Sequence, residues 1–344
     1  MKKILIVFTG GTIGSRTQGR IINVDRRQSH ALLSQYVQKY GETANFLPVQ
    51  PLQLLSENTT YSTWNRLCAY LFSIDLQAFD GVIITHGSDT LSYTAALVSF
   101  LLRHTPVPVM LTAADRPLAD VKSNGLENFK AAVDFITNAG LKGVFVSYRD
   151  KQGKQAIYLA SRLCQADAYL DVFTPFGGAP FGYMEHGAFI PNISPCNPKP
   201  EELRADQKPV FTQPPVFITP VLMVQPYPNM QYDLFPVQNT KVVLLYLYHS
   251  ATACTQGEEA TSVLPFIERC RRQKTAVYGA SFKRRQASGL YATEHALLQA
   301  GVAPLFNISP EAAYTKLCIA YNQNETEPER LMQQTLFFET LPEK

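Results

Sequence analysis

Charge is scarce in this chain: Asp, Glu, Lys and Arg make up 17% of its 344 residues, and their balance is +3 at neutral pH. So small an excess offers a polyanion little to hold, and nucleic acid is not an expected partner. Long apolar runs are missing as well. None reaches the roughly 18 to 20 residues needed to cross a bilayer, so no membrane partner is expected and the chain reads as soluble. The cysteines, Cys68, Cys164, Cys196, Cys254, Cys270 and Cys318, are scattered without the close pairs of a zinc site. The start, Met1-Lys2-Lys3, is basic, but the apolar run from Ile4 to Phe8 is too short for the core of a signal peptide and stops at Gly10-Gly11. The cysteines are accordingly expected to be reduced thiols of a cytoplasmic protein. Internal repeats and low-complexity tracts are also lacking.

What the chain does have is length and apolar content. With 46% hydrophobic residues it can bury a large core, and 344 residues exceed the usual size of one domain, so two are expected. In the first half, strand-like runs at Ile4 to Phe8, Gly81 to Thr85, Val107 to Leu111 and Gly143 to Val146 alternate with helical patterns. Those patterns cover Ser62 to Ile74, Tyr93 to Leu102 and Asn124 to Thr137. Such alternation predicts a mostly parallel sheet with crossover helices. Prolines then crowd the stretch from 191 to 236, which reads as an irregular connection. After it come strands at Val242 to Tyr246 and Thr275 to Ala280, and helices at Ser262 to Gln273, Thr293 to Ala300 and Ala312 to Tyr321. The expected class is α/β. A larger domain over 1–190 is joined through 191–236 to a smaller Rossmann-like domain over 237–344.

Two strand-to-turn transitions carry the chemistry. Ile4 to Phe8 runs into Thr9-Gly10-Gly11-Thr12-Ile13-Gly14, and Val82 to Thr85 runs into His86-Gly87-Ser88-Asp89-Thr90-Leu91. Both leave hydroxyls, glycines and amides at the carboxyl end of a buried strand, where open α/β sheets hold their ligands. The glycine pair permits a tight turn and a close backbone approach. The spacing lacks both GxGxxG and a P-loop lysine, so a phosphate cradle is a poor fit. In the second motif Asp89 can hold an amine, while Ser88 can hold or attack a carbonyl or orient a water. Taken singly, each motif also suits plain helix capping.

Together and in this order, the motifs resemble those of the bacterial-type asparaginase family, which includes glutaminase-asparaginases and an archaeal tRNA-dependent amidotransferase subunit. Thr9 to Gly14 matches its first signature, TGGTI followed by a small residue. His86 to Thr90 matches HGTDT with serine for the first threonine. Further matches are Ser56-Glu57-Asn58, the stretch Ala113 to Pro117, Ser123-Asn124-Gly125 with Asn128, and Gly289 to Thr293 with the helices that follow. The resemblance implies hydrolysis of L-asparagine or a related small amide to the acid and ammonia, through an acyl-threonine and with no metal or cofactor. It assigns the nucleophile to Thr12 and the second half of the centre to Ser88 and Asp89. Substrate binding falls to Gly11, Ser56, Glu57, Gly87, Ser88, Asp89 and Ala113. It further implies a homodimer or homotetramer.

Besides the mild change to serine at Ser88, two positions depart from that pattern. Arg20 stands where the family has a tyrosine near the attacking threonine, and is expected to bind an acidic substrate group or stabilise negative charge. The family lysine that pairs with the HGTDT aspartate falls at Ser161-Arg162-Leu163, which makes Arg162 the expected catalytic cation, with Leu163 or Cys164 there if the alignment shifts. Lys151 and Lys154 are alternative cations on a nearby turn, and His249 follows a second-domain strand where the family has a loop reaching a neighbouring site. The competing expectation is a family member that binds an amino acid without turning it over. A tRNA-linked amidotransferase component is the third, disfavoured by the modest charge.

Overall fold

The computed structural model describes residues 1–18, 21–24, 26–284, 289–323 and 327–343, with the side chains between 14 and 30 outside the description. The expectation for Arg20 lies outside the described residues. The chain forms two compact units, Met1–Pro215 with Leu336–Phe338, and Val216–Thr335 with Glu339–Lys344.

The first unit opens with β1 (Lys2–Phe8), the hairpin β2 (Ser15–Gln18) and β3 (Ile21–Val24), α1 (Arg26–Tyr40), β4 (Ala44–Val49), α2 (Tyr61–Phe72) and β5 (Gly81–Thr85). There follow α3 (Leu91–Leu101), β6 (Pro108–Thr112), α4 (Gly125–Asn138), β7 (Gly143–Arg149) and β8 (Gln155–Leu159). A second hairpin, β9 (Leu163–Ala166) and β10 (Phe173–Pro175), precedes β11 (Gly182–Glu185) and β12 (Ala188–Pro191). Eight strands make one sheet in the order β12-β11-β8-β7-β6-β5-β1-β4. Neighbours from β4 to β7 run parallel, whereas β8, β11 and β12 extend the sheet through antiparallel pairs.

Apart from exposed Lys2 and Lys3 at the start of β1, the central strands are buried because helices cover them, and their runs are apolar and rich in β-branched residues. Tyr36 of α1 meets Phe129 of α4 edge-on at 5.4 Å, and Trp64 of α2 donates to Thr94 of α3 at 3.3 Å. Leu336–Phe338 belong to this core. Gly143, at φ +115°, makes room for them, since a Cβ there would lie 2.7 Å from the Phe337 ring.

Strand order fixes where a ligand can sit. From β1 the chain leads outward to β4, and from β5 it leads the other way to β6, so the reversal lies between β1 and β5. Their register pairs Phe8 with Thr85. Both motifs therefore leave the sheet side by side at its switch point, the crevice that open α/β sheets use for ligands.

The second unit holds β13 (Val221–Val224), β14 (Val242–Tyr246), α5 (Val263–Arg272), β15 (Ala276–Phe282), α6 (Ala292–Gln299), β16 (Ala303–Phe306), α7 (Pro310–Ala320) and α8 (Pro328–Gln333). Its parallel sheet runs β13-β14-β15-β16 over a core that includes Val243, Leu245, Phe266 and Leu297. Ser262 and Ser309 cap α5 and α7 by accepting the amides of Leu264 and Ala312, and Pro310 occupies the first turn of α7, where its missing N–H costs nothing. The buried Lys316 ammonium meets Glu339 at 2.9 Å, which ties the C-terminal segment to α7.

The α/β class with a larger and a smaller sheet unit is as expected. The division between units falls at 215/216, inside the proline-rich stretch, and the residues from 191 to 215 go with the first unit. Among the described residues no helix is long and apolar enough to cross a membrane.

Candidate active site

The turn after β1 is pinned from two sides. Thr9 donates its hydroxyl to the carbonyl of Thr85 at 2.7 Å and its amide to the same oxygen at 3.3 Å. The Leu54 amide donates to the Thr9 carbonyl at 3.1 Å, and the Gly11 amide donates to the Leu54 carbonyl at 2.9 Å. This brings the segment that carries Ser56 alongside the first motif.

Glycine is required at the point of contact. Gly10 and Gly11 have φ of +111° and +76°, a region costly for side chains. A Cβ on Gly10 would lie 2.2 Å from the Leu54 carbonyl oxygen, and one on Gly11 would lie 2.3 Å from the Gly87 nitrogen. A Cβ on Gly87 would meet the Ser56 hydroxyl at 2.4 Å. Three turns thus converge with backbone against backbone.

Polar bonds complete the convergence. Buried Ser56 donates to Asp89 Oδ2 at 3.1 Å, and Thr90 donates to the Ser56 carbonyl at 2.9 Å. Thr12 follows Gly11 into a 3-10 turn, half-buried, while Ile13 is fully packed beneath it. Ser88 is half-buried; Asp89 and Glu57 are exposed. The structure brings Gly11, Ser56, Gly87 and Asp89 together, with Thr12, Glu57 and Ser88 as their chain neighbours.

Ala113, also expected to bind substrate, is buried just past β6. Its carbonyl accepts from Asn128 Nδ2 at 3.0 Å, while Asn128 Oδ1 accepts the Arg149 amide at 2.9 Å. Asp115 and Asn124 exchange amide-to-side-chain hydrogen bonds, each at 2.9 Å, and Asp115 meets Arg149 at 3.2 Å. Those bonds fix the loop between β6 and α4. Asn124 and Asn128 stand in the sequence as matches without roles, and their partners identify them as loop anchors.

His86 is the residue whose role sequence reasoning missed. Its ring is buried, and Nδ1 lies 2.8 Å from the carbonyl oxygen of Gly87. Burial pushes its pKa below the ordinary histidine value, against the opposing pull of the Gly87 carbonyl and the Asp89 charge. The tautomer follows from chemistry: a carbonyl only accepts, so Nδ1 carries the hydrogen.

Arg162, the expected catalytic cation, has backbone partners of its own. It is buried at the end of a 3-10 turn, and its guanidinium donates to the carbonyls of Phe338 and Cys196, while the neighbouring Ser161 hydroxyl donates to the carbonyl of Phe337. Among the described residues no ion pair joins Arg162 to Asp89. Its Nε and one Nη are held by backbone carbonyls of two other segments. Arg162→Ala is expected to strand those carbonyls and destabilise the first unit by about 2 kcal/mol. A lower urea midpoint would show it. Of the alternative cations, Lys151 is exposed and Lys154 pairs loosely with Glu185 at 3.9 Å on the surface. His249 is exposed in the second unit.

Comparison with known proteins adds independent findings. The family model described as asparaginase, N-terminal, matches residues 3–192. L-asparaginase 1 of Escherichia coli K12 is 27% identical, with 99% of each chain covered. A glutamyl-tRNA(Gln) amidotransferase subunit from Pyrococcus abyssi is also 27% identical, over 96% of this chain and 75% of its own. Among solved structures, the thermostable L-asparaginase from Thermococcus kodakarensis superposes with a TM-score of 0.79 at 22% identity, covering 99% of both chains. A probable cytoplasmic L-asparaginase from Campylobacter jejuni gives 0.70 at 19% identity, covering 98% of this chain and 99% of that one. At such identities the structural likeness speaks for the fold.

Proposed function

This chain belongs to the asparaginase family, and from that premise we propose that it hydrolyses the side-chain amide of L-asparagine, or a closely related small amide, with Thr12 as nucleophile. The observation that carries the reading is the convergence of Gly11, Ser56, Gly87 and Asp89 at the sheet's switch point. Hydroxyls, amides and one carboxylate meet there within reach of a small molecule.

In this reading the α-ammonium of the substrate binds Asp89, whose Oδ2 is already oriented by Ser56. The α-carboxylate takes donors from backbone amides of the Ser56 segment, the Ser56 hydroxyl hydrogen being given to Asp89, with Glu57 at the rim. Thr12 Oγ attacks the amide carbon, and the oxyanion is received by amides of the two glycine turns. The hydroxyl proton passes to the departing nitrogen by way of Ser88. The C–N bond breaks, ammonia leaves, and an aspartyl ester remains on Thr12. Water attacks the ester, releases L-aspartate and restores the threonine hydroxyl. Positioning and oxyanion contacts carry most of the acceleration, so a relay without the family's tyrosine and lysine remains workable.

Asp89→Asn is expected to weaken L-aspartate binding by roughly tenfold or more and succinate binding by no more than about twofold, because succinate has no ammonium to lose. Titration calorimetry with both ligands checks this, and equal losses would count against the assignment.

A second reading rests on the placement of Arg162. With that cation committed to backbone carbonyls, the chain fits a member that binds an amino acid without turnover. Ammonia release from L-asparagine, L-glutamine, D-asparagine and succinamic acid separates the two. Release that Thr12→Ala abolishes supports hydrolysis and ranks the amides. Silence on all four, with L-aspartate still bound, supports the second reading. A cytoplasmic homodimer or homotetramer completes the proposal on the family resemblance, and sedimentation tests the assembly.

A further inference from the structure

The Gly87–Ser88 peptide sits at the centre of the convergence, yet one side of it is already occupied. Its carbonyl oxygen faces the buried His86 ring at 2.8 Å. The peptide is trans, so its carbonyl and the Ser88 N–H point in opposite directions. Among the described residues none accepts a hydrogen bond from the Ser88 amide. Ser88 is half-buried, and Gly11 presses against Gly87 from the β1 side. An amide held this way is a preorganised donor, the kind of group that stabilises charge developing on a carbonyl oxygen.

We propose that His86 is a positioning residue: by holding the Gly87 carbonyl through Nδ1–H, it locks the Gly87–Ser88 peptide with the Ser88 N–H turned toward the substrate carbonyl. The inference rests on the hydrolytic reading for its substrate, but the lock itself is a property of the ring and the peptide. An unlocked peptide could rotate and swing the N–H away, at the moment when the oxyanion forms. His86 touches neither substrate nor reacting atoms, so its effect belongs to kcat more than to KM.

The test uses His86→Asn, whose side-chain amide places a donor near the position of Nδ1, and His86→Leu, which fills the space without one. With the preferred amide, His86→Leu is expected to lower kcat by about 100-fold with KM within about threefold, and His86→Asn to stay within about fivefold of the parent. Equal losses in the two variants, or a His86→Leu enzyme as fast as the parent, would overturn the proposal. Long-range proton–nitrogen correlation on the unmodified protein must find the His86 hydrogen on Nδ1; a ring protonated only at Nε2 also overturns it. If the parent releases no ammonia, the hydrolytic reading fails, and the lock is judged by NMR alone. The Ser88 amide signal should then move on adding L-aspartate in the parent and in His86→Asn but not in His86→Leu. A shift in all three would refute the lock.

Discussion

Thr12→Ala is expected to lower kcat for the preferred amide by at least about 10⁴-fold while L-aspartate binds within about threefold of the parent. The asymmetry follows from where Thr12 sits. It lies half-buried in the turn that leaves β1, one residue beyond the contact with Gly87. The groups proposed to hold the amino-acid part, Ser56 and Asp89, come from other turns and bond to each other independently of Thr12. Removing one hydroxyl and methyl there deletes the attacking atom and leaves the cradle standing. Turnover that survives the substitution would reassign the nucleophile, with Ser88 the next hydroxyl on the same edge.

The second large effect is expected at Gly11, through geometry alone. Gly11→Ala puts a Cβ where φ is +76° and only 2.3 Å from the Gly87 nitrogen. The left-handed conformation costs about 1 to 2 kcal/mol for a residue with a side chain, and the overlap with unyielding backbone adds a comparable or larger amount. A loss above roughly 3 kcal/mol is expected, together with activity, because the turns that meet at Gly87 must part. Gly140→Ala is the matched control. Its φ is +61°, but nothing lies within 4 Å of the added Cβ, so a cost of about 1 kcal/mol without loss of turnover is expected. Urea titrations of both variants compare the two directly, and similar costs would show that the contact between turns is unimportant.

The central parallel strands were legible because burial on both faces writes an unbroken apolar run into the sequence. Gly81–Thr85 is buried at every position, and it stops at its motif in both sequence and structure. The antiparallel extension was not legible. In β11 buried Gly182 and Met184 alternate with half-buried Tyr183 and exposed Glu185, and β12 has no buried residue, so no continuous apolar run marks them. Strand β13 is short and lies within the proline-rich stretch that reads as irregular.

The candidate site divides in the same way. Thr12, Ser88 and Asp89 stand in local motifs whose residue types announce their chemistry. Ser56 was found through resemblance alone, since nothing nearby in sequence shows that Leu54 fastens its segment to the first turn. Arg162 illustrates the limit best. Its position suggested a partner for Asp89, but one of its carbonyl acceptors lies 176 residues away, at Phe338. His86 hides for the opposite reason: its partner is the next residue, and the meaning of that bond depends on the peptide plane, which residue types do not record.

The most direct test of the account is the covalent step. Protein quenched in acid during turnover of the preferred amide should gain the mass of one aspartyl group, and peptide mapping should place it on Thr12, with no adduct in Thr12→Ala. An adduct on Ser88, or steady ammonia release without any adduct in protein quenched at the shortest times, would contradict the assignment of Thr12 as the nucleophile.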